Sequence, residues 1–440
     1  MHSGMNSTLR TLPTLSGQQG LHVLKELITR RSVLDGLEAM SNDLGHVFQI
    51  NLPMFQPVVL SGPKAARQIM VTERDQFLWR NENDPVTDLL RNGLLVVDGS
   101  QHDKFRGYMQ PTLYRSRVQS HIPLMVANTD QITSTWGEDS VQDMLIEMRR
   151  MMLVILVSTL FRVDLLPDLD RLWKPILRIL EYISPGLWLL KPGLLRSGYQ
   201  DDIREMDDYL FNIIRKRRTH PIEGDDMLSD LVRREDMTDD LIRDQLLTML
   251  IAGHDTSTAL MVWSIYLLGK HPLAMQRAKG EVDRLLGQQV PTAECLAEMH
   301  FLDQVIKEAL RLYPPIHAGN RLTRSKLQIQ GCPIPEGTRM IFSIYLTHRE
   351  ERHWPKADQF IPERFERKSH QTYSPFSYLP FGGGPRNCIG AIYAQIEAKA
   401  VLARILQTFD LKLLSLRVTK YMGATLEPRP RVMVQVTRRR

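Results

Sequence analysis

The sequence predicts a mainly α-helical protein with small β-sheets. Apolar residues recur at helical spacing through much of the 440-residue chain, and the longest such run extends from Thr238 to about Lys270. Near the amino end, residues 46–52 alternate as a strand does, and residues 57–60 are interpreted as its hairpin partner. Hydrophobic residues make up 43% of the chain and charged residues 24%, which is the balance of an ordinary globular protein.

The net charge and the cysteine spacing argue against several kinds of protein, including disulfide-bonded and zinc-binding ones. The net charge is +6, and basic residues crowd the end of the chain at 438–440. Such charge could attract nucleic acid, an anionic membrane or an acidic protein, but a charged tail is more often simply solvated, so we expect no nucleic acid partner. Cys295, Cys332 and Cys388 show no paired spacing, which argues against disulfides or a zinc site and fits a reducing cytoplasm.

The length permits two or three domains or one large fold. Residues 1–20 are rich in Ser, Gly and Thr and have neither the apolar core of a signal peptide nor a membrane anchor. We expect a flexible lead-in there and a single, monomeric domain over 21–440. Its β-rich subregion is expected at about 45–75 and 316–365, with helices in the rest.

The amino-terminal elements follow in order. A helical pattern at 20–40 leads to the strand at 46–52, and 57–60 reads as its hairpin partner. Pro63 suits the first turn of a helix that runs through Thr72. Residues 85–100 mix apolar and turn-forming types, as a loop over a ligand would.

A helix that includes Gln101 runs towards Tyr114. It places His102 and Arg106, four residues apart, on one face, where two donors suit an anion. On spacing alone, an exposed surface pair is the simpler interpretation.

Residues 119–165 are expected to form a helix. Their apolar run at 151–157 is bounded by Arg150 and Arg162 and is far shorter than the roughly 20 residues of a membrane span, so it indicates a core helix. Residues 182–195 are an apolar loop interrupted by Pro and Gly, and exposed apolar patches usually have a purpose.

The longest predicted helix starts at Thr238, a good cap, and ends before Pro272. It is long enough to span a membrane, but the polar residues at 253–258 would be costly in lipid. Thr256 lies four residues after Ala252, so its hydroxyl can bond back to the Ala252 carbonyl and bend the helix. Gly253 beside them could open a groove.

Two charged residues share a face of the next clear helix, which runs from Phe301 to Tyr313 and is stopped by two prolines. They are Glu308 and Arg311, three residues apart. Alone, such a pair is common on surfaces and contributes little.

One cysteine lies within the glycine loop PFGGGPRNCIG at 380–390. Three consecutive glycines let the backbone approach a flat object closely, and Pro385 stiffens the turn. Backbone amides and Arg386 are expected to favour the thiolate of Cys388, which stands just ahead of a helix. Such a thiolate suits a metal ligand or a nucleophile, and a buried structural cysteine is the plainer alternative.

Phe381, Gly384, Arg386, Cys388 and Gly390 together resemble the haem-binding loop of the cytochrome P450 family, the haem-thiolate monooxygenases. The resemblance implies that Cys388 is the axial iron ligand, that Arg386 faces a haem propionate and that Phe381 packs beside the thiolate. A thiolate ligand pushes electron density onto iron and favours O–O cleavage. The implied fold is a triangular helical domain with haem b between the long central helix and the Cys loop.

Further motifs of the family occur in its order. The segment 252–256, AGHDT, resembles the oxygen-activation motif, in which an acid and an alcohol deliver protons to dioxygen, here Asp255 and Thr256. EALRLYPP and PERF resemble the ExxR helix and its partner, which implies a structural cluster of Glu308, Arg311 and Arg364.

The resemblance also implies the rest of the site. The expected cofactor-binding residues are His102, Arg106, Ala252, Arg321, Phe381, Arg386, Cys388 and Gly390. The expected pocket residues are Ile316, His317, Ala318 and Met422. The loop at 182–195 corresponds to a mobile lid over the substrate channel. The match covers roughly 45–435 and lacks the anchor of membrane-bound members, which points to the soluble, bacterial-type members.

The implied function is a monooxygenase that hydroxylates or epoxidises a hydrophobic small molecule, with electrons from NAD(P)H through a ferredoxin or flavodoxin and its reductase. An acidic partner is expected on the Cys388 side, where the candidate contacts are Lys104, Arg115, Arg117, Lys399 and Arg404. Two alternatives stay open: a haem-binding sensor or carrier without turnover, and a peroxide-driven hydroxylase. Asp255 and Thr256 argue against the second, because peroxide already carries the protons and electrons.

Overall fold

A computed structural model describes residues 11–15, 33–51, 55–82, 84–185, 198–366 and 374–439. It confirms a mainly α-helical fold with small sheets. The helices are α1 Val33–Leu44, α2 Pro63–Arg67, α3 Pro85–Leu90, α4 Gly99–Met109, α5 Arg115–Ser120, α6 Ile122–Thr133, α7 Met144–Leu160, α8 Leu166–Ile183, α9 Gln200–Thr219, α10 Met227–Val232, α11 Asp239–Lys270, α12 Pro272–Leu286, α13 Ala293–Glu298, α14 His300–Leu312, α15 Ile344–Thr347 and α16 Ala391–Thr408.

The long helix α11 forms the centre of the helical core. The Thr238 hydroxyl caps it by accepting a hydrogen bond of 3.3 Å from the Leu241 N–H, as the sequence predicts. It packs against α7, α9, α14 and α16, and nearly all of its side chains from Ile242 to Leu268 are buried. Because it is enclosed by other elements, α11 carries apolar residues on every face, and its polar residues are buried with them. Within the described ranges, no helix is long and apolar enough to cross a membrane.

Gly253 lies where α11 and α7 cross. A Cβ built on Gly253 would stand 2.2 Å from Leu156 Cδ1, so this glycine permits close packing of the two helices. The groove expected beside Gly253 stays a prediction. The helix continues without interruption through this point.

The largest sheet has five strands in the order β1 Val47–Gln49, β2 Val58–Leu60, β8 Arg339–Ser343, β5 Ala318–Thr323 and β3 Phe77–Leu78. The predicted hairpin is confirmed, with Val47 opposite Leu60. Strand β2 then pairs in parallel with β8, which joins the amino-terminal strands to the segment after α14. The helix predicted from Pro63 to Thr72 is α2 continued by a π-helical turn over Gln68–Thr72.

Three smaller sheets complete the fold. Strand β6 Leu327–Ile329 pairs with β7 Cys332–Ile334, and β10 Thr419–Met422 pairs with β11 Leu426–Arg429. Strand β12 Met433–Arg438 lies between β4 Asp139–Asp143 and β9 Phe409–Leu413.

The prediction of one helix over 119–165 is wrong. That region contains the end of α5, helix α6, strand β4 and helix α7. Strand β4 forms because β12, almost 300 residues further along the chain, pairs with it. Strands at 409–438 also lie outside the predicted β-rich subregion. The expected loop at 85–100 contains α3, which Asp84 caps by accepting from the Val86 N–H at 2.9 Å.

Several predictions fall partly outside the described residues. Of the helical pattern at 20–40, only the part from Val33 onward is described, as α1. Most of the loop at 182–195 lies outside the described ranges, as do residues 1–10 and 16–20 of the expected lead-in. Within that lead-in, the Pro13 carbonyl accepts a hydrogen bond of 2.9 Å from the Gln49 N–H, so 11–15 lie along β1.

Candidate active site

The loop before α16 holds Cys388 by backbone contacts. The Cys388 N–H donates to the Phe381 carbonyl at 2.8 Å. Gly384 has a φ of +68°, and a Cβ there would stand 2.1 Å from the Met70 carbonyl oxygen. Only glycine fits this turn, since a side chain would be strained in φ and would collide with backbone.

Cys388 faces an internal cavity. Its side chain is solvent-accessible, although it lies deep in the protein. Burial raises the pKa of the Cys388 thiol, while the Gly390 N–H and Arg106 act in the opposite direction. The backbone N–H and Arg106 therefore act in the expected direction, but burial outweighs them. Arg386 is not among the groups that act on this thiol.

The middle of α11 also borders open space inside the protein. Ala252 is exposed and Thr256 is half-buried, although both lie at the centre of a core helix. The Thr256 hydroxyl donates to the Ala252 carbonyl at 2.7 Å, as the spacing predicts. Next to Thr256, the Ser257 hydroxyl donates to Glu397 on α16 at 2.6 Å, which joins the two helices beside the cavity.

Four donors converge at one edge of this site. His102 and Arg106 lie on α4, Arg321 lies on β5, and Arg386 lies in the Cys loop. Arg386 acts electrostatically on both His102 and Arg321, and Arg106 acts on His102. Burial, together with the neighbouring Arg386, lowers the pKa of Arg321 to about 9.

The carboxylates at this edge are fewer than the cations. Arg386 donates to Asp98 at 3.0 Å and to the Val97 carbonyl at 2.7 Å, and His102 lies 2.9 Å from Asp103. Arg321 stacks on the Trp79 ring, with its guanidinium carbon 3.0 Å from the ring centroid. Among the described residues, Arg321 has no carboxylate at hydrogen-bond distance, and its Nη1 donates only to the Asn320 carbonyl.

These residues fit a haem. A half-buried guanidinium without a carboxylate partner, as at Arg321, favours an anion, and two propionates at this edge would supply one. The accessible Cys388 thiol and the accessible residues Ala252 and Thr256 of α11 are the groups that the resemblance places against the macrocycle. Arg106 is tied to Asn387, donating to its carbonyl at 2.8 Å and to its side-chain oxygen at 3.0 Å. The individual roles of His102, Arg106, Ala252, Arg321, Phe381, Arg386, Cys388 and Gly390 stay predictions.

Glu308 stands at the centre of a buried charge cluster. Arg311 donates to both of its oxygens at 2.8 Å, and Arg364 donates to one of them at 3.3 Å. The Ile361 N–H donates to the same oxygen at 3.0 Å. All three charged side chains are buried, so the predicted trio does come together in the core.

Asp255 points away from the cavity. Its Oδ1 accepts from Arg149 on α7 at 3.1 Å, and its Oδ2 accepts from the Thr425 hydroxyl at 2.8 Å. Arg149 also donates to Glu427 on β11 at 2.8 Å. Sequence reasoning did not find Arg149, Thr425 or Glu427, because they lie more than 100 residues from Asp255 and carry no motif.

The predicted pocket residues differ in their surroundings. Ile316 is 42% exposed and Ala318 is half-buried, whereas His317 is buried. Burial lowers the pKa of His317 to about 4, so its ring is neutral at physiological pH. Met422, on β10, packs against the apolar cluster that contains α1 and β1 residues. Their contact with substrate stays a prediction.

The fold and the site together define a haem-thiolate protein. The family model described as cytochrome P450 matches residues 20–433. Similar proteins include the putative cytochrome P450 120 of Synechocystis, 29% identical with 98% of each chain covered. The cyclooctatin synthase of Streptomyces melanosporofaciens is 27% identical, with 84% of this chain and 82% of the relative covered. The pentalenene oxygenase of Streptomyces avermitilis is 27% identical, with 87% and 86% covered.

The chain belongs to the cytochrome P450 family and is of the bacterial type. It is an oxidoreductase, a monooxygenase whose cofactor is haem b and whose co-substrate is dioxygen, with electrons from NAD(P)H through redox partners.

Proposed function

We propose that the protein inserts one oxygen atom of dioxygen into an apolar small molecule, by hydroxylation or epoxidation. The second oxygen atom leaves as water, and the balance requires two electrons and two protons. The observation that carries the proposal is that Cys388, in its glycine loop, and Ala252 and Thr256, in the middle of a core helix, are accessible although they lie deep in the protein. When bound, the haem would supply oxygen activation and Cys388 its thiolate ligand.

The protein's own groups handle the protons. The Thr256 hydroxyl commits its proton to the Ala252 carbonyl, so its oxygen lone pairs are left to accept from a donor in the cavity. Asp255 is the nearest acid along the helix, and it has to turn from Arg149 and Thr425 to supply a proton there. The names of two relatives, cyclooctatin synthase and pentalenene oxygenase, are compatible with an apolar substrate.

The decisive experiment is the reduced, carbon monoxide-bound spectrum of the wild type and of Cys388→Ser. The wild type should show the shifted Soret band of thiolate ligation, and the variant should lose it, because serine does not supply a sulfur ligand. Identical spectra would remove Cys388 as the ligand. Product formed with an electron donor and NAD(P)H then separates an enzyme from a sensor or carrier, and product formed with peroxide alone would favour the peroxide-driven alternative.

We propose that a ferredoxin or flavodoxin delivers the electrons to the face around Cys388. Four of the five candidate contacts already have partners: Lys104 with Asp236, Arg117 with Asp225, Lys399 with Asp303 and Arg404 with Asp130. Arg115 is exposed and has no ion pair among the described residues. It lies next to Tyr114, which is 54% exposed. This pair is the better anchor for an acidic partner, since aromatic side chains and arginines are enriched at interfaces.

Reversing the charge at Arg115 should slow reduction by the partner. For Arg115→Glu we expect a loss of roughly 10-fold in the second-order rate at low ionic strength, because steering by a favourable field is lost. The difference from wild type should shrink as salt is added. Stopped-flow reduction measures both, with Arg171→Glu, a surface cation outside the five candidate contacts, as the control. Equal loss in the two variants would place the partner elsewhere.

Screening apolar compounds for a low-to-high spin shift of the haem would identify the substrate class. Terpenes, steroids, fatty acids and polyketides are the classes to compare. The absence of a spin shift with every apolar class would contradict the proposed substrate.

A further inference from the structure

Arg149 is shared by two carboxylates from different parts of the fold. One nitrogen, Nη2, donates to Asp255 Oδ1 at 3.1 Å and to Glu427 Oε2 at 2.8 Å. The Arg149 side chain is 13% exposed, Asp255 is 4% exposed and Glu427 is 9% exposed. Burial lowers the pKa of Arg149, but Asp255 and Glu427 together raise it above its ordinary value.

Glu427 is itself held between two cations. Its Oε2 accepts from Arg149, and its Oε1 accepts from Arg429 at 2.9 and 3.1 Å. Arg429 is half-exposed and stacks on the Tyr421 ring, with its guanidinium carbon 3.6 Å from the centroid. Arg429 lies on β11 and Tyr421 on β10, so both belong to the hairpin that also carries Glu427. Glu427 is therefore fixed to the hairpin, whatever Asp255 does.

A buried arginine with a single carboxylate would bind it tightly, because separation would leave an uncompensated charge in the core. Here Asp255 can turn away while Arg149 keeps Glu427 as its counter-ion. Asp255 then breaks one contact with Arg149 and one with the Thr425 hydroxyl, and no charge is stranded when Asp255 leaves as the protonated acid.

We propose that Glu427 is a positioning residue that makes Asp255 releasable, so that Asp255 can take up a proton from solvent, turn away from Arg149 and give the proton up on the cavity side of α11. This inference rests on the proposed function, in which Asp255 supplies protons beside Thr256. Glu427 itself touches neither substrate nor haem and acts only through Arg149.

The test compares Glu427→Gln with wild type as holoenzymes. Glutamine keeps the shape and the hydrogen-bond acceptor but removes the charge, so Arg149 holds Asp255 alone. We expect less product per NAD(P)H and a larger solvent deuterium isotope effect on product formation, with haem content and substrate spin shift unchanged. The loss should stay well below the roughly 100-fold that removal of a general acid itself can cost.

Glu205→Gln is the matched control, because Glu205 is a surface glutamate that pairs with Arg171 at 3.0 Å. It should change neither product per NAD(P)H nor the isotope effect. Glu427→Asp should restore much of the product yield, since the charge is restored; a merely structural role for Glu427 would not move the isotope effect.

Thermal unfolding of the same holoenzymes gives a readout independent of turnover. Asp255→Asn and Glu427→Gln each leave Arg149 with one carboxylate, whereas the double variant leaves it with none. The double variant should therefore lose more in Tm than the sum of the two single losses. Additive losses would show that Arg149 is not shared, and the inference would fall.

Comparing Asp255→Asn with Glu427→Gln separates the role of Glu427 from the proton-donating role of Asp255. If Asp255→Asn lowers product per NAD(P)H and Glu427→Gln does not, Asp255 works without Glu427 and only the inference is wrong. If Asp255→Asn also has no effect, Asp255 is not the proton source, and the inference is overturned together with that part of the proposed function.

Discussion

Replacing Glu308 by alanine should prevent most of the protein from folding and holding haem. Glu308 is fully buried and accepts from Arg311 and Arg364, which are also buried. Without its carboxylate, two guanidinium groups lose their counter-ion in the core. Removing one partner of a buried pair typically costs about 3–5 kcal/mol, which is a large part of the roughly 5–15 kcal/mol by which a protein is stable. Yield of haem-loaded protein and denaturant unfolding measure the loss.

The control for Glu308 lies beside Arg364. Glu363 is 47% exposed and pairs at the surface with Arg277, which is 51% exposed. Glu363→Ala should cost at most about 1 kcal/mol, since exposed ion pairs contribute little. Because Glu308→Ala is expected to fold poorly, Glu308→Gln provides a second measurement; it keeps two polar atoms and should lie between wild type and alanine in unfolding free energy. A Glu308→Ala protein as stable as Glu363→Ala would contradict the cluster's structural role.

The contacts that were predicted correctly from the sequence join residues that are close along the chain. The cap at Thr238 and the bond from Thr256 to Ala252 each follow from a spacing of three or four residues, which a helix always brings together. The Glu308–Arg311 pair follows from the same rule. A motif can therefore be placed on its element without knowledge of the rest of the fold.

What could not be predicted depends on distant segments. Residues 139–143 show no strong alternation, and they form a strand because β12 offers an edge to pair with. The partner of Arg386 is a second example. Its neighbours Asp98 and Val97 come from a segment nearly 290 residues earlier, so sequence reasoning named only the thiolate and a haem propionate as partners of Arg386.

The sequence also does not predict the direction of a pKa shift where burial acts against nearby charges. The glycine loop supplies an N–H group near the Cys388 sulfur, and Arg106 adds a positive charge, yet the pKa of the thiol is raised because its burial dominates. A sequence shows which donors are present but not how much water is excluded. The depth of a site is therefore a property of the packed core.

Replacing Thr256 by alanine should separate electron use from product formation. The Thr256 oxygen presents lone pairs to the cavity because its proton is bound to the Ala252 carbonyl at 2.7 Å. Without this oxygen, a protonated group in the cavity loses its acceptor, and reduced oxygen should leave as hydrogen peroxide. We expect NAD(P)H consumption to continue while product per NAD(P)H falls by roughly 10-fold or more, since a positioned proton-transfer group typically contributes at least that much.

Thr256→Ser is the matched control, because serine keeps the hydroxyl and can make the same bond to Ala252. It should retain most of the product yield, whereas Thr256→Val, which keeps the shape without the oxygen, should behave as alanine does. Product, peroxide and NAD(P)H are measured together in one reaction. If valine and serine gave the same yield, the hydroxyl would have no part in proton handling, and the role of Thr256 would be reduced to shaping the cavity wall.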